Sequence, residues 1–378
     1  MIRKRILLDA TALPKKPVGA GKYICKIIPE ILKISSEHEI FILAHPDDFD
    51  LFSLPDEYRN RFLFTKDLGR GLRIFAEQFY YPYLIKKYNI DLFHGLHYSI
   101  PIIASCKTIS TIHDMTFFLF PKKHLWIKKI YFRFFIRYSS KYADKIIAIS
   151  DSTKKDLLRI LKGDPLKIVT VPLAVDPSFH KIGTDHQLSS VRQKYQLPEK
   201  FILFVGLIEP RKNVGLLIRS FAAFRKENND ETHLVIAGRW GWESEAILNL
   251  VKNLKLSEFV HFPGYIEQID MPYIYNLATL FIYPSIYEGF GLPVLEAMAS
   301  GTPVITSNIS SMPEFVGDAG VLIEPDNQDD LTSAIHHLLI HDEFRKEMSE
   351  KAILQAKQYT WTNTATKTMK IYSELLDE

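Results

Sequence analysis

At 378 residues the chain is longer than one hydrophobic core usually serves, and 47% hydrophobic with 24% charged residues is a globular balance that excludes a disordered or fibrous protein. The net charge of +3 divides into +11 over residues 1–180 and −8 over the remainder, so the two halves present different surfaces. No apolar run reaches the roughly 18 to 20 residues of a spanning helix, an acid stands where a signal core would lie, and Cys25 and Cys106 have neither the number of a disulfide framework nor the spacing of a metal site. Two domains in the cytoplasm, with reduced thiols, are expected.

Runs rich in Ile, Leu, Val and Phe, separated by helix-length segments, predict parallel strands with crossover helices. In the first half these are Arg5–Asp9, Ile40–Leu43, Ile90–His94, Thr108–His113, Lys145–Ile149 and Ile168–Val171. In the second half they are Phe201–Val205, His233–Ala237, Phe259–Phe262, Leu280–Tyr283, Pro303–Thr306 and Val321–Ile323. Two α/β sheets in tandem follow, with an N-terminal domain over 1–174 and a C-terminal domain over 199–359. Pro172 and Pro177 and the polar stretch 181–187 place a linker at 175–198. The segment Trp361–Leu376 reads as an amphipathic helix with Thr362 as its cap, and a C-terminal helix over about 360–378 is expected to pack back on the first domain.

Ligands of open parallel sheets bind beyond the carboxyl ends of the strands. After Phe201–Val205 comes Gly206-Leu-Ile-Glu-Pro-Arg-Lys-Asn213, where a glycine permits close backbone approach. Arg211 offers paired planar hydrogen bonds to phosphate oxygens, Lys212 a compact charge, and the helix N-terminus its dipole, a combination that suits a diphosphate. After Leu280–Tyr283 comes Tyr287-Glu-Gly-Phe-Gly-Leu-Pro-Val-Leu-Glu296, which turns into a helix near Pro293. Gly289 and Gly291 leave loop amides accessible to an anionic leaving group. Glu288 is placed to accept from sugar hydroxyls, and Glu296, a turn into the helix, from a ribose diol, because a carboxylate has two acceptor oxygens.

These residues resemble a family. Gly206, Arg211 to Asn213, Gly238, Phe262 to Gly264, Glu288-Gly-Phe-Gly-Leu-Pro, Glu296 and Gly301-Thr-Pro-Val304 match the retaining glycosyltransferases of family 4, the group 1 enzymes, strongly over 200–325 and more weakly before it. The seven-residue spacing between the two glutamates is the most specific mark. The resemblance implies a GT-B fold: two Rossmann-like α/β domains facing each other across a cleft, the first for the acceptor and the second for the nucleotide sugar. It implies that Arg211 and Lys212 neutralise the donor diphosphate, Glu296 holds the ribose, and Glu288 with the amides of Phe290, Gly291 and Leu292 positions the transferred sugar. The base would lie near Gly238 and Gly264-Tyr265.

In the first half, Gly19-Ala-Gly21 resembles the family's diphosphate and acceptor loop, and His113 its cleft histidine, with Asp114 beside it. His94 and His97 lie at a strand end, where they either face the acceptor or, the favoured reading, are polar loop residues. The leaving diphosphate can itself take the acceptor proton, so neither a metal nor another cofactor is required. The implied activity is retaining transfer of a hexosyl group, mannosyl by preference, from a GDP- or UDP-sugar to a glycan or lipid-linked saccharide in cell-surface polysaccharide assembly. The alternatives are a GT-B nucleotide-sugar epimerase or hydrolase, and a non-catalytic partner that binds nucleotide sugar.

Between Met115 and Ala143 no acid occurs, while Lys122, Lys123, Lys128, Lys129, Arg133, Arg137 and Lys141 interleave with Phe117, Phe118, Phe120, Trp126, Tyr131, Phe132, Phe134, Phe135 and Tyr138. Lys129, Arg133, Arg137 and Lys141 share one helix face. A basic, aromatic helix suits a peripheral site on the anionic inner face of the cytoplasmic membrane through 117–141; its other reading is a core helix with a solvated basic face. No motif for reading nucleic acid is present.

Overall fold

The computed structural model of the chain describes residues 3–65, 73, 75–121, 126–184, 186–228, 230–241 and 244–378. It divides into two compact units, Met1–Leu173 with Thr360–Glu378, and Ala174–Tyr359.

The first unit is built on β1 (Arg5–Asp9), β2 (Glu39–Ala44), β3 (Phe62–Phe64), β4 (Leu92–Gly95), β5 (Lys107–Ile112), β6 (Lys145–Ala148) and β7 (Ile168–Thr170). They form one parallel sheet in the order β3-β2-β1-β4-β5-β6-β7. Ile6, Leu7 and Leu8 are wholly buried, as central strands covered on both faces require. The edge strand β3, only three residues long, has no counterpart among the apolar runs of the sequence.

The second unit contains β8 (Phe201–Val205), β9 (His233–Ala237), β10 (Val260–Gly264), β11 (Leu280–Tyr283), β12 (Val304–Ser307) and β13 (Val321–Ile323). Its parallel order is β10-β9-β8-β11-β12-β13. In both sheets the chain winds outward on one side, then returns to start the other side. The reversal falls between β1 and β4 in the first unit and between β8 and β11 in the second, and such a switch point opens a crevice at the carboxyl ends of the strands.

Three expectations are corrected here. The stretch 175–198 is folded into the second unit instead of forming a linker: helix His186–Lys194 packs on helix Met271–Leu277, Val191 and Leu197 are buried, and Asn276 accepts the Ile182 amide at 2.7 Å. Its few apolar residues are buried or half-buried, so the sequence looks polar; Asp185 lies outside the described residues. The C-terminal helix Trp361–Asp377 is capped by Thr360, whose side chain accepts the Asn363 amide, and not by Thr362. Thr362 instead donates to Glu30 at 2.9 Å, and Thr364 donates to the Pro172 carbonyl at 2.9 Å. His94, on β4, is no loop residue. It is fully buried between the Tyr372 hydroxyl at 2.5 Å and the Thr111 hydroxyl at 2.8 Å, fixing this helix to the first sheet.

Candidate active site

At the switch point of the second sheet, β8 runs into a 3-10 turn, Pro210–Lys212, and β11 into the loop 284–291. Four donors converge on one atom, Oε1 of Glu288: Lys212 Nζ at 2.5 Å, Ser285 Oγ at 2.6 Å, Arg211 Nη1 at 2.9 Å and the Tyr283 hydroxyl at 3.2 Å. Lys212 also donates to the Tyr283 hydroxyl, while Arg211 donates to the Tyr287 carbonyl at 2.6 Å and to Glu209 at 2.7 Å. Two cations and two carboxylates are thus locked into a nearly dry, neutral cluster. Burial alone would raise the Glu288 pKa, but Lys212, Arg211 and the hydrogen bonds from Lys212 and Ser285 bring it down to about 2. Burial pulls Lys212 below its usual range against the attraction of Glu288.

In this arrangement Oε1 of Glu288 is the counter-ion of Arg211 and Lys212, a pairing that the sequence did not foresee. Ser310 ties the loop by donating to the Glu288 carbonyl at 2.5 Å, and Ser311 donates to the Phe290 carbonyl at 2.6 Å. The Phe290 side chain is buried against Phe315, ring centroids 5.0 Å apart, so only its backbone lies on the loop. Gly291, at φ 109°, precedes helix Leu292–Ala299, and its positive φ is a conformation that favours glycine. Glu296 is buried on that helix, where its Oε2 accepts from the Tyr275 hydroxyl at 3.1 Å.

The neighbouring strand ends are fitted by glycine. A Cβ on Gly238, at φ 142°, would lie 1.8 Å from the Gly206 carbonyl oxygen, so the turn after β9 closes on the turn after β8 only because residue 238 is glycine. Gly264, at φ 78°, ends β10 and presents the half-exposed Tyr265 ring under the Arg239 guanidinium, 4.7 Å from the centroid. Gly206, Gly238, Tyr265, Arg211, Lys212 and Glu288 therefore occupy the carboxyl edge of four adjacent strands.

The chain matches the family models for glycosyl transferases group 1 over residues 189–355 and for Glycosyltransferase Family 4 over residues 19–179. It is 30% identical to the O-antigen chain mannosyltransferase B of Escherichia coli over 386 positions, 98% of this chain and 100% of that one. The chain belongs to the group 1, family 4 glycosyltransferases. Its fold is GT-B: it superposes on sucrose-phosphate synthase of Thermosynechococcus elongatus with a TM-score of 0.77 at 20% identity, covering 99% of this chain and 100% of that one. It superposes on Anabaena HepE, crystallised with UDP and glucose, with a TM-score of 0.76 at 17% identity, covering 99% of this chain and 100% of that one.

In the first unit of this glycosyltransferase, Gly19 caps helix Ala20–Ile34 at φ 52°, and Gly21 is buried where a Cβ would press on Pro14. His113 follows β5; its Nε2 donates to the Leu96 carbonyl at 2.9 Å, and its ring meets the Tyr23 edge at 5.2 Å. Burial lowers the His113 pKa despite the Leu96 hydrogen bond, so the ring is neutral at pH 7 and unsuited to sharing positive charge. Asp114 turns away to accept from the Thr116 amide at 2.9 Å and hydroxyl at 2.6 Å. Among the described residues no group of three or more His, Cys, Asp or Glu is arranged to hold a metal ion.

Helix Trp126–Tyr142 divides the aromatic residues of 117–141 into two sets. Phe117 and Phe135 are buried and Phe118 and Phe132 pack on the core, which is the core-helix reading. Trp126, Ile127, Ile130 and Phe134 are exposed instead, next to the exposed Arg137 and Lys141. Arg133 is partly buried and donates to the Phe117 carbonyl at 2.8 Å. Lys122 and Lys123 lie outside the described residues, as does the side chain of Lys128.

The sequence did not reveal Tyr283 and Tyr275 as partners of the two glutamates. Tyr283 ends a strand that was recognised, so its position carried a signal; Tyr275, inside a helix, carried none.

Proposed function

We propose that this glycosyltransferase moves a mannosyl group, with retention, from a GDP- or UDP-sugar to a glycan or lipid-linked saccharide in the assembly of a cell-surface polysaccharide. The cluster of Arg211, Lys212, Glu209 and Glu288 carries the reading: it holds two cations immobile at the switch point, where the principles of parallel sheets place a ligand. The end-to-end similarity to a protein named as a mannosyltransferase of the O-antigen chain supports the sugar and the product class.

In the proposed mechanism the donor diphosphate meets Arg211 and Lys212, and its oxygens compete with Glu288 for the same N–H donors. Glu209 and Glu288 keep the cations oriented, so little reorganisation is needed as negative charge grows on the leaving group. The bond from the anomeric carbon to the diphosphate oxygen breaks, the acceptor hydroxyl adds to the same face, and its proton passes to the leaving diphosphate. Glu296 accepts from the ribose hydroxyls, with Tyr275 holding the carboxylate. The base stacks near Tyr265. A covalent glycosyl-enzyme would need a carboxylate free to attack, and Oε1 of Glu288 already accepts from Arg211, Lys212, Tyr283 and Ser285. The reaction is proposed to need no metal, so EDTA should leave the rate unchanged.

We also propose that the exposed stripe of Trp126, Ile127, Ile130 and Phe134, flanked by Arg137 and Lys141, rests on the anionic inner face of the cytoplasmic membrane. Among the described residues no helix is long and apolar enough to cross a membrane. Co-sedimentation with phosphatidylglycerol vesicles at low salt is the expected result, and its absence removes this part of the proposal.

The experiment for the activity is transfer from GDP-mannose and UDP-mannose to a mannose-terminated glycolipid, with the product anomer read by NMR. An α-linked product from an α-linked donor is expected. A β-linked product contradicts retention, and hydrolysis or epimerisation without transfer contradicts the transferase reading.

A further inference from the structure

In the second-unit cluster the Tyr283 hydroxyl stands between the two groups that must part when a diphosphate binds. It donates to Oε1 of Glu288 at 3.2 Å and accepts from Lys212 Nζ, whose other hydrogen bond runs to the same Oε1 at 2.5 Å. A phenol has one O–H, and here it is committed to Glu288, so its lone pairs face Lys212. Burial and the adjacent Glu288 hold the Tyr283 pKa well above the usual phenol range, which keeps that proton in place.

The ring is as fixed as the hydroxyl. Tyr283 ends β11, is fully buried, and stacks on Phe204 at 5.7 Å and on Phe281 at 5.9 Å, while its carbonyl accepts from the Thr306 hydroxyl at 2.8 Å. Lys212 Nζ lies 4.8 Å from the ring centroid, a cation–π distance. Of the three N–H donors of Lys212, one goes to Tyr283 and one to Glu288, and the third has no partner among the described residues.

A diphosphate oxygen that draws Lys212 from Glu288 strips a buried carboxylate of its closest donor, and a buried polar atom left short of hydrogen bonds is destabilising. Tyr283 limits that loss on both sides. Its O–H stays on Oε1 beside Ser285 Oγ at 2.6 Å, and its lone pair keeps the ammonium in place as the ligand arrives. We propose that Tyr283 is a positioning residue that aims the Lys212 ammonium at the donor diphosphate and holds Glu288 when the diphosphate draws that ammonium away. The inference rests on the donor reading of this cluster and adds a residue that acts on the ligand only through Lys212.

The first sheet supplies a contrast. At its switch point Glu77 is fully buried, and the Tyr131 hydroxyl donates to its Oε2 at 3.2 Å, the same distance at which Tyr283 meets Glu288. Asp9 and Arg73 act on that acid, with Arg73 Nη2 3.6 Å from Asp9, and the buried ring of His97 is close enough to feel the Arg73 charge. Among the described residues no lysine donates to Tyr131 or Glu77, and burial pushes the Glu77 carboxyl up to about 7. A tyrosine hydroxyl by itself therefore does not keep a buried acid ionised at neutral pH. What sets Tyr283 apart is the lysine it shares with the acid.

The test is calorimetric titration of GDP into the full chain and into Tyr283→Phe, Tyr131→Phe, Lys212→Ala and the double variant Tyr283→Phe with Lys212→Ala. Phenylalanine keeps the stacked ring beside Lys212, so the loss of the hydroxyl is what is read, with circular dichroism as the check on the fold. Tyr283→Phe should weaken GDP about tenfold, as loss of one hydrogen bond to a charged group does, and Tyr131→Phe should leave it within about twofold. In the Lys212→Ala background Tyr283→Phe should have no further effect, because its action runs through the ammonium; a merely structural role would add its own loss. Wild-type affinity in Tyr283→Phe, or additive losses in the double variant, overturns the inference and leaves the donor reading standing if Lys212→Ala is weakened. Equal GDP affinity in the wild type and Lys212→Ala overturns the donor reading and this inference with it.

Discussion

Glu288 and Glu77 are both buried beside arginine at the switch point of a parallel sheet, yet their protons are held in opposite senses. Glu288 receives two cations and two hydroxyls on one oxygen and ionises near pH 2. Glu77 has only the Tyr131 and Ser99 hydroxyls besides a cation that it shares with Asp9, and ionises near pH 7. Equal burial therefore fixes neither charge nor role. The number of donors converging on the carboxylate decides whether a buried acid is a permanent counter-ion or a group that titrates in the physiological range.

The largest expected effect lies on the donor side of this comparison. Lys212→Ala or Arg211→Ala should each lower transfer on the order of a hundredfold or more, as loss of a preorganised donor does, and wild-type turnover by both variants would remove the assignment. Next comes the acid limb of stability. The Glu288 pKa is depressed in the fold, so its contribution, on the order of 3 kcal/mol, is complete above about pH 4.5 and is lost as pH falls toward 2. Chemical denaturation from pH 5 to pH 2 should show that loss in the wild type and not in Glu288→Gln.

Glu77 provides the mirror experiment. Its pKa is raised in the fold, so the native state holds the proton more tightly and stability falls, on the order of 3 kcal/mol, as pH rises from about 4.5 to 7. Glu77→Gln should lose less stability than the wild type over that window; identical curves would contradict the difference drawn between the two acids. The smallest effect belongs to Tyr275→Phe, which removes the hydrogen bond to Glu296 and should cost about 1 kcal/mol in stability, with a larger share in donor affinity if Glu296 holds the ribose.

The strands were the most legible feature, because parallel strands buried on both faces leave continuous apolar runs such as Phe201–Val205 and Leu280–Tyr283. Short β3 was missed because Phe62–Phe64 has too few residues to form such a run. Helix His186–Lys194 was taken for linker because a helix that buries little beyond Val191 has a polar sequence. In the second unit, the chemistry of Arg211, Lys212 and Glu288 is carried on two short adjacent loops and was readable. What sequence spacing hid was their pairing, in which Oε1 of Glu288 is set against the two cations. The first-unit cluster was illegible because Asp9, the Arg73–Glu77 segment, His97 and Tyr131 come from four separate places in the chain.

The claim that the second-unit cluster holds the donor diphosphate is tested most directly by titrating GDP into the wild type and Lys212→Ala under identical buffer conditions. One GDP bound per chain by the wild type, and at least tenfold weaker binding by the variant with an unchanged circular dichroism spectrum, is the predicted result. Equal GDP affinity in the two proteins would contradict it.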